Sequence, residues 1–159
     1  MFKTADLCDR FDGKIEVAAP VFQAYGGNIA FSGTIRTVKV HEDNVLVKQM
    51  LSSPGNGSVL VIDGGASLHC ALVGDQLAAM ANDNDWSGLV VNGCIRDSEA
   101  INKTAVGVRA LATHPRRSIK KGAGDVDIPV RFAGVLYVPG HHIYIDEDGI
   151  VISAASLVS

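Results

Sequence analysis

Residues 64–97 read GGASLHCALVGDQLAAMANDNDWSGLVVNGCIRD, and this stretch decides how the rest of the chain is arranged. It contains two glycine-bearing turns, each placed after a run rich in β-branched residues: SVLVID before Gly64-Gly65 and GLVVN before Gly93. Short apolar runs of this kind suit strands buried on both faces of a parallel sheet. Between them, Leu72, Val73, Leu77, Ala78 and Ala81 fall at helical spacing, which predicts a helix within 68–81, from about Gly74 onward. Twenty residues separate Asp75 from the pair Arg96-Asp97. That is about one helix plus one returning strand, so the second loop comes back beside the first. Asp75, Arg96 and Asp97 are therefore expected around one concavity, beyond the carboxyl ends of the strands, where ligands of such sheets lie.

Outward from this unit, Thr4 to Phe11 reads as a short helix with Thr4 as its N-cap and Gly13 as its stop. Pro20 breaks Val17 to Ala24 and leaves a short extended piece suited to a sheet edge. Ala30 to Val40 is rich in β-formers and reads as a long strand. Asn44 to Leu51 has helical spacing, ended by Ser52-Ser53-Pro54-Gly55-Asn56-Gly57. After the central unit, Ser98 is placed to cap a helix over Glu99 to Asn102, and Gly107 to Thr113 is a third apolar strand. A polar loop with Arg116, Arg117, Lys120 and Lys121 follows, and short β runs fill Val126 to Ser153. The expectation is one α/β domain over 1–159, with a mixed sheet, a parallel centre and a β-rich C-terminal half.

At 159 residues the chain is long enough to bury a core without staples. The apolar fraction of 47% and mean hydropathy of +0.21 leave apolar surface for subunit contacts, while aromatics are only 6%. A formal charge of −3 with interspersed signs argues against generic nucleic-acid binding. Cys8, Cys70 and Cys94 are odd in number and lack CxxC spacing, so they read as unpaired thiols of a reducing compartment. With neither a signal-like N-terminus nor a long apolar run, the expected location is the cytoplasm, with no membrane partner.

The segments TADLCDRF, VLVIDGGASLHCALVGDQLAAMA, GLVVNGCIRD and PVRFAGVLYVPGHHIYIDEDGIVIS resemble the RraA-like family over nearly the whole chain. Within that family the sequence is similar to the class II (metal-dependent) 4-hydroxy-4-methyl-2-oxoglutarate aldolases, whose pattern is an aspartate, twenty residues, then Arg-Asp. Asp75, Arg96 and Asp97 meet it in full. Family members that inhibit a ribonuclease tend to lose acidic residues of this pattern. The resemblance implies a swivelling β/β/α fold, a homotrimer or dimer of trimers, and sites in clefts between subunits. It implies that Asp97 holds a divalent metal, that Arg96 contacts substrate, and that the backbone from Gly74 through Asp75, Gln76 and Leu77 cradles a carboxylate. The chain is shorter at its C-terminus than many aldolase members, so an acidic group from a neighbouring tail has no expected counterpart here.

The chemistry agrees with those roles. Cleaving the C–C bond of a 4-hydroxy-2-oxo acid leaves the enolate of pyruvate, so positive charge is needed at the C2 oxygen. A Mg²⁺ or Mn²⁺ ion supplies it as a Lewis acid, and one carboxylate such as Asp97 suits an ion that keeps several waters. Arg96 adds a cation that cannot lose its proton. The C4 hydroxyl proton is assigned to a water on the metal, oriented by Asp75. Oxaloacetate decarboxylation passes through the same enolate and is an expected side activity. The reading of a different class is a regulator that binds and inhibits an RNase E-like ribonuclease without catalysis.

Other features read as structural. Asp63-Gly64-Gly65 lacks the further glycines of a dinucleotide loop and is expected to be a tight turn. The histidines show no HExxH spacing, Ser67 lies in no nucleophile elbow, and His41 and His114 look solvated. Arg116 to Lys121 has no interleaved aromatics and is expected to be a solvated loop.

Overall fold

In the computed structural model, which describes residues 1–158, the chain begins with α1 (Thr4–Arg10), β1 (Ile15–Val17), β2 (Gln23–Tyr25), β3 (Phe31–Lys39) and α2 (Val45–Leu51). The central stretch forms β4 (Val59–Asp63), β5 (Ala71–Val73), α3 (Asp75–Asp83), β6 (Gly88–Ile95) and α4 (Ser98–Asn102). Then come β7 (Gly107–Thr113), β8 (Asp125–Val126), β9 (Val130–Phe132), β10 (Val135–Tyr137), β11 (His142–Asp146) and β12 (Gly149–Ser153). The large sheet runs β1-β12-β11-β3-β4-β6-β7-β2, with β5 added to β6 and β8 to β3, while β9 and β10 form a separate hairpin. Its centre, β3-β4-β6-β7, is parallel, and its flanks are antiparallel. This is the mixed α/β fold expected of the sequence.

The centre is apolar on both faces because alternate side chains of each strand enter different cores. Leu60 and Ile62 of β4 and Leu89 and Val91 of β6 meet α2, α3 and α4 through Val47, Leu51, Leu77, Ala78 and Ile101. Val59, Val61 and Val90 point the other way, toward Phe132, Tyr137, Ile143 and Ile152. Each fully buried aliphatic side chain here contributes about 1.5–3 kcal/mol relative to exposure. Phe31 fixes the lower end of the sheet. Its ring lies where a Cβ on Gly88 or Gly107 would stand, at 2.4 Å and 2.0 Å, so β6 and β7 both begin with a residue lacking one.

Four local expectations are corrected. Thr4 is not the N-cap of α1: Lys3 holds that position without a side-chain bond. The Thr4 hydroxyl and N–H instead donate to Asp146 at 2.6 and 2.7 Å, so a carboxylate from 142 residues away satisfies the helix start. Pro20 separates two strands rather than interrupting one, and β1 and β2 lie at opposite ends of the sheet order. Residues 71–73 before the predicted helix are strand, and α3 starts at Asp75. Ser98 is helical, with Asp97 as the N-cap of α4. No helix among the described residues is long and apolar enough to cross a membrane.

Candidate functional site

The site is created by a mismatch in strand length. β4 pairs with β6 only over Gly88 to Asn92, after which β6 continues to Ile95. Past Asp63 the chain wraps around Asn92, whose carbonyl accepts from the N–H groups of Gly64 and Ala66, while its amide donates to Asp63. It returns as β5, which takes the place vacated by β4 beside Cys94 and Ile95. The Asp63-Gly64-Gly65 turn is thus spent on structure, with Gly65 N–H donating to Asp63 Oδ1 at 3.0 Å. β5 then runs directly into α3, and the Arg96 N–H donates to the Val73 carbonyl at 2.9 Å. The start of α3 and the end of β6 are held side by side.

At that junction Asp97 sits in the left-handed region at φ 58°. Aspartate tolerates this conformation better than most residues, and such strain persists where surrounding contacts fix it. Its carbonyl accepts from Ile101 N–H at 2.9 Å, and its Oδ2 accepts from Asp75 N–H at 3.2 Å. The carboxylate lies over Gly74, where a Cβ would stand 2.9 Å from Oδ2 and 3.6 Å from Arg96 Cγ and Nε. Arg96 also reaches the Pro115 carbonyl at 3.4 Å. Asp75 Oδ1 accepts the Gln76 N–H at 2.9 Å, and the Leu77 N–H of the same turn has no acceptor among the described residues.

All six residues singled out in the sequence, Gly74, Asp75, Gln76, Leu77, Arg96 and Asp97, line one open cleft of about 340 Å³. Leu77 is buried and packs its side chain into the core, whereas Asp75, Gln76 and Asp97 are exposed and Arg96 is half-buried. The sequence reading missed other parts of the wall, among them Asn44, Lys48, Met80, Arg117, Ser118 and Lys120. Arg117 and Lys120 belong to the loop expected to be merely solvated. A single parallel bridge between Ala71 and Arg117 draws that loop against β5, too little pairing to leave a periodic signal in the sequence. Among the described residues, none of the cleft's ionised side chains has an opposite charge within 4.0 Å, Arg96 and Asp97 included.

The donor set suits a hard divalent cation. Asp97 Oδ1 and Asp75 Oδ2 accept no hydrogen bond from the described residues, and the lining carries carboxylate oxygens but neither a cysteine nor a histidine. No cluster of three His, Cys, Asp or Glu side chains among the described residues could hold a metal alone. An ion that keeps its waters and takes one or two carboxylates plus a ligand's oxygens fits such a wall.

Ser67 and His69 form no nucleophile–base pair. Both turn to Glu42, Ser67 Oγ at 2.5 Å and His69 Nδ1 at 2.9 Å. The Ser67 hydrogen bond, acting against a smaller desolvation, and the nearby His69 and His41 hold the Glu42 carboxyl below its usual range. Cys70 and Cys94 are buried and Cys8 half-buried, all three unpaired. Burial pushes the thiols of Cys70 and Cys94 up.

The model of the RraA-like family, described as Aldolase/RraA, matches residues 4–152. A protein of Aromatoleum aromaticum named "Putative 4-hydroxy-4-methyl-2-oxoglutarate aldolase" is 57% identical over 157 residues, covering 99% of both chains. A solved structure described as the RNA-processing inhibitor RraA from Thermus thermophilis superposes with a TM-score of 0.95 at 41% identity, covering 99% of this chain and 97% of that one. Another, described as an S-adenosylmethionine:2-dimethylmenaquinone methyltransferase from Geobacillus kaustophilus, gives a TM-score of 0.94 at 46% identity, with 98% and 97% covered.

Proposed function

The chain belongs to the RraA-like (Aldolase/RraA) family, and from that premise we propose that it is a divalent-metal-dependent aldolase that cleaves 4-hydroxy-4-methyl-2-oxoglutarate, or a related 4-hydroxy-2-oxo acid, to pyruvate. The observation that carries the reading is the convergence of Asp75, Arg96 and Asp97 on one cleft at the start of α3. The relatives' names support the same reaction.

In this reading the substrate's 2-oxo carboxylate end meets the first turn of α3, where the Leu77 N–H and the helix dipole favour an anion. Arg96 turns its fixed positive charge toward the C2 oxygen. Asp97 would hold a Mg²⁺ or Mn²⁺ ion, which when bound would supply Lewis-acid stabilisation of the charge that develops there. The C3–C4 bond breaks, its electron pair entering the C2–C3 enolate as the C4 hydroxyl becomes a carbonyl. Asp75 takes the C4 hydroxyl proton through water, and reprotonation at C3 yields the methyl of pyruvate. With a methyl and a carboxylate at C4, the second product is also pyruvate. Oxaloacetate loses carbon dioxide through the same enolate, which makes its decarboxylation the accompanying activity.

We place the enzyme in the cytoplasm as a homotrimer or dimer of trimers. Exposed Ile119 beside the cleft wall, together with Leu68, supports a cleft closed by a second subunit. A second reading, an inhibitor of an RNA-degrading enzyme, draws on the RraA-described neighbour. A pyruvate assay coupled to lactate dehydrogenase, with and without chelator, separates the two. The aldolase releases pyruvate that chelator abolishes and added Mg²⁺ restores, whereas a regulator is silent. Asp97→Asn keeps the left-handed tolerance and removes the charge. It should lower kcat/KM on the order of a hundredfold or more, and an undiminished Mg²⁺-dependent rate would refute the metal assignment.

A further inference from the structure

β7 carries one charge that the packing does not explain. Val108 and Ala110 enter the core beneath the helices, so the alternation of a strand turns Arg109 to the opposite face, over the ring of Phe31 at 5.5 Å from its centroid. Arg109 is 5% exposed, and no carboxylate stands within 4.0 Å of it among the described residues. Its guanidinium donates to three carbonyls instead: Val108 from Nη1 at 3.2 Å, and Ile29 and Asp146 from Nη2 at 2.7 and 3.1 Å. Two of its five N–H groups, one on Nε and one on Nη1, have no acceptor among the described residues. Carbonyls hold a guanidinium in place but do not cancel its charge, and a buried charge without a counter-ion is costly.

Arg109 lines an open cavity of about 450 Å³ that shares no residue with the cleft at the start of α3. Small-molecule sites run from about 300 to 1,000 Å³, with apolar walls and a few fixed polar groups. Val17, Pro20, Phe22 and Ile150 give this cavity such a wall. The turn between β11 and β12 gives it a rim. There the Asp146 carboxylate is taken up by the N–H and hydroxyl of Thr4 and by the Asp148 N–H. Glu147 and Asp148 are exposed, with no cation within 4.0 Å among the described residues. A buried cation and two rim carboxylates thus line one cavity without pairing. Opposite charges held apart in this way attract a ligand that carries both signs, whereas a simple anion meets repulsion at the rim and a simple cation meets it at the guanidinium.

We propose that this cavity binds an α-amino acid with an aliphatic side chain, its carboxylate on the Arg109 guanidinium, its ammonium at Glu147 and Asp148, and its side chain against Val17, Phe22 and Ile150. The two unspent N–H groups of Arg109 supply charge-assisted hydrogen bonds to the carboxylate. Because the two cavities share no lining residue, the binding stands or falls independently of the aldolase reading.

Calorimetric titration of the full chain with L-leucine, 4-methylpentanoate and 3-methylbutylamine tests it, the second ligand lacking the ammonium and the third the carboxylate. Leucine should bind about tenfold or more tighter than either, the factor expected for one lost charged contact. Glu147→Gln combined with Asp148→Asn should weaken leucine by about tenfold and leave 4-methylpentanoate unweakened, a split that a purely structural role of the turn would not produce. Arg109 also secures three carbonyls, so the cavity is better blocked from Ala24, its exposed partner across β2 and β7. Ala24→Phe should abolish leucine binding at an unchanged thermal midpoint. No heat with leucine, equal affinities for leucine and 4-methylpentanoate, or leucine binding that survives Ala24→Phe overturns the proposal. Should Ala24→Phe lower the midpoint, the rim double variant decides alone, and an undiminished leucine affinity in it overturns the proposal.

Discussion

Placing a single methyl group at Gly74 tests whether the position of the Asp97 carboxylate matters, without touching a charged residue. Gly74 is extended, at φ −118° and ψ −168°, so alanine fits the backbone without strain. Its Cβ would stand 2.9 Å from Asp97 Oδ2, well inside ordinary contact. Relief requires the carboxylate to move by roughly half an ångström, since carbon–oxygen packing is comfortable only near ~3.4 Å. The Asp97 backbone cannot supply that movement, because it is fixed at φ 58° and its carbonyl holds the start of α4. The side chain therefore turns, and its 3.2 Å bond from Asp75 N–H is lost. Catalytic geometry is sensitive on this scale: a displacement of about 1 Å costs on the order of a hundredfold, so kcat/KM for pyruvate release should fall by about tenfold to a hundredfold in Gly74→Ala. Stability should stay within about 1 kcal/mol, the lost hydrogen bond being offset by the reduced freedom of the unfolded chain. Gly149→Ala, where a Cβ meets nothing within 4 Å, is the control. The coupled pyruvate assay and a thermal melt measure both quantities. Wild-type kcat/KM and wild-type metal dependence in Gly74→Ala would refute the placement of Asp97 at the reacting centre.

Other expectations concern the scaffold. Burial pushes the Asp146 carboxyl up, but the bonds from Thr4 and from the N–H groups of Asp148 and Gly149 outweigh it and bring it below its usual value. Its contribution is therefore present above the unfolded value of about 3.9 and lost as pH falls through the folded value, so the gap in thermal midpoint between wild type and Asp146→Asn should be open at neutral pH and close in acid; a gap independent of pH contradicts this. Tyr137 is fully buried, and its hydroxyl has no partner among the described residues, so Tyr137→Phe should raise stability in urea by about 1 kcal/mol, and a loss of that size would mean the hydroxyl has a partner. Phe31→Ala empties the space over Gly88 and Gly107 and should cost about 3–5 kcal/mol in the same experiment; a cost below about 1 kcal/mol would show that the sheet end collapses to fill it.

What the sequence revealed and what it concealed follow from the range of the interactions involved. β4, α3 and the first part of β6 were legible because period and apolar run length are local properties, and Asp75, Arg96 and Asp97 could be grouped because one helix and one strand have predictable lengths. β5 was not legible. Ala71, Leu72 and Val73 precede a helix and fit its pattern, and only the vacancy beside Cys94 and Ile95, left where β4 stops, makes them strand. The same vacancy carries β6 through Gly93, which on its own reads as the start of a loop. The helix start at Thr4 was misread for a similar reason, since its partner Asp146 lies at the far end of the chain. Arg117 and Lys120 are exposed, as a solvated loop requires, but their place on the cleft wall was not legible, because the bonds that hold their segment there come from Asn44, Glu42 and Asp43.

The scaffold and the site are also separable in energy. The core consists of the two side-chain layers on either face of β4 and β6 and a smaller cluster of Leu7, Tyr144 and Val151, and none of them contains Asp75, Arg96, Asp97, Arg117 or Lys120. These ions are exposed or half-buried and unpaired, so neutralising one removes no buried partner and leaves no buried charge stranded, the two changes that make polar substitutions costly. Asp97 is the exception in kind, because its backbone occupies a conformation that most residues resist, and a residue other than Asn, Asp or Gly there should destabilise α4 as well as change the cleft. It follows that Asp97→Asn and Asp97→Val should differ in thermal midpoint while both lose activity, whereas Asp75→Asn should lose activity at an unchanged midpoint. Equal midpoints for the two Asp97 variants would mean that the turn yields without cost, and that the geometry over Gly74 is imposed by the carboxylate rather than by the backbone beneath it.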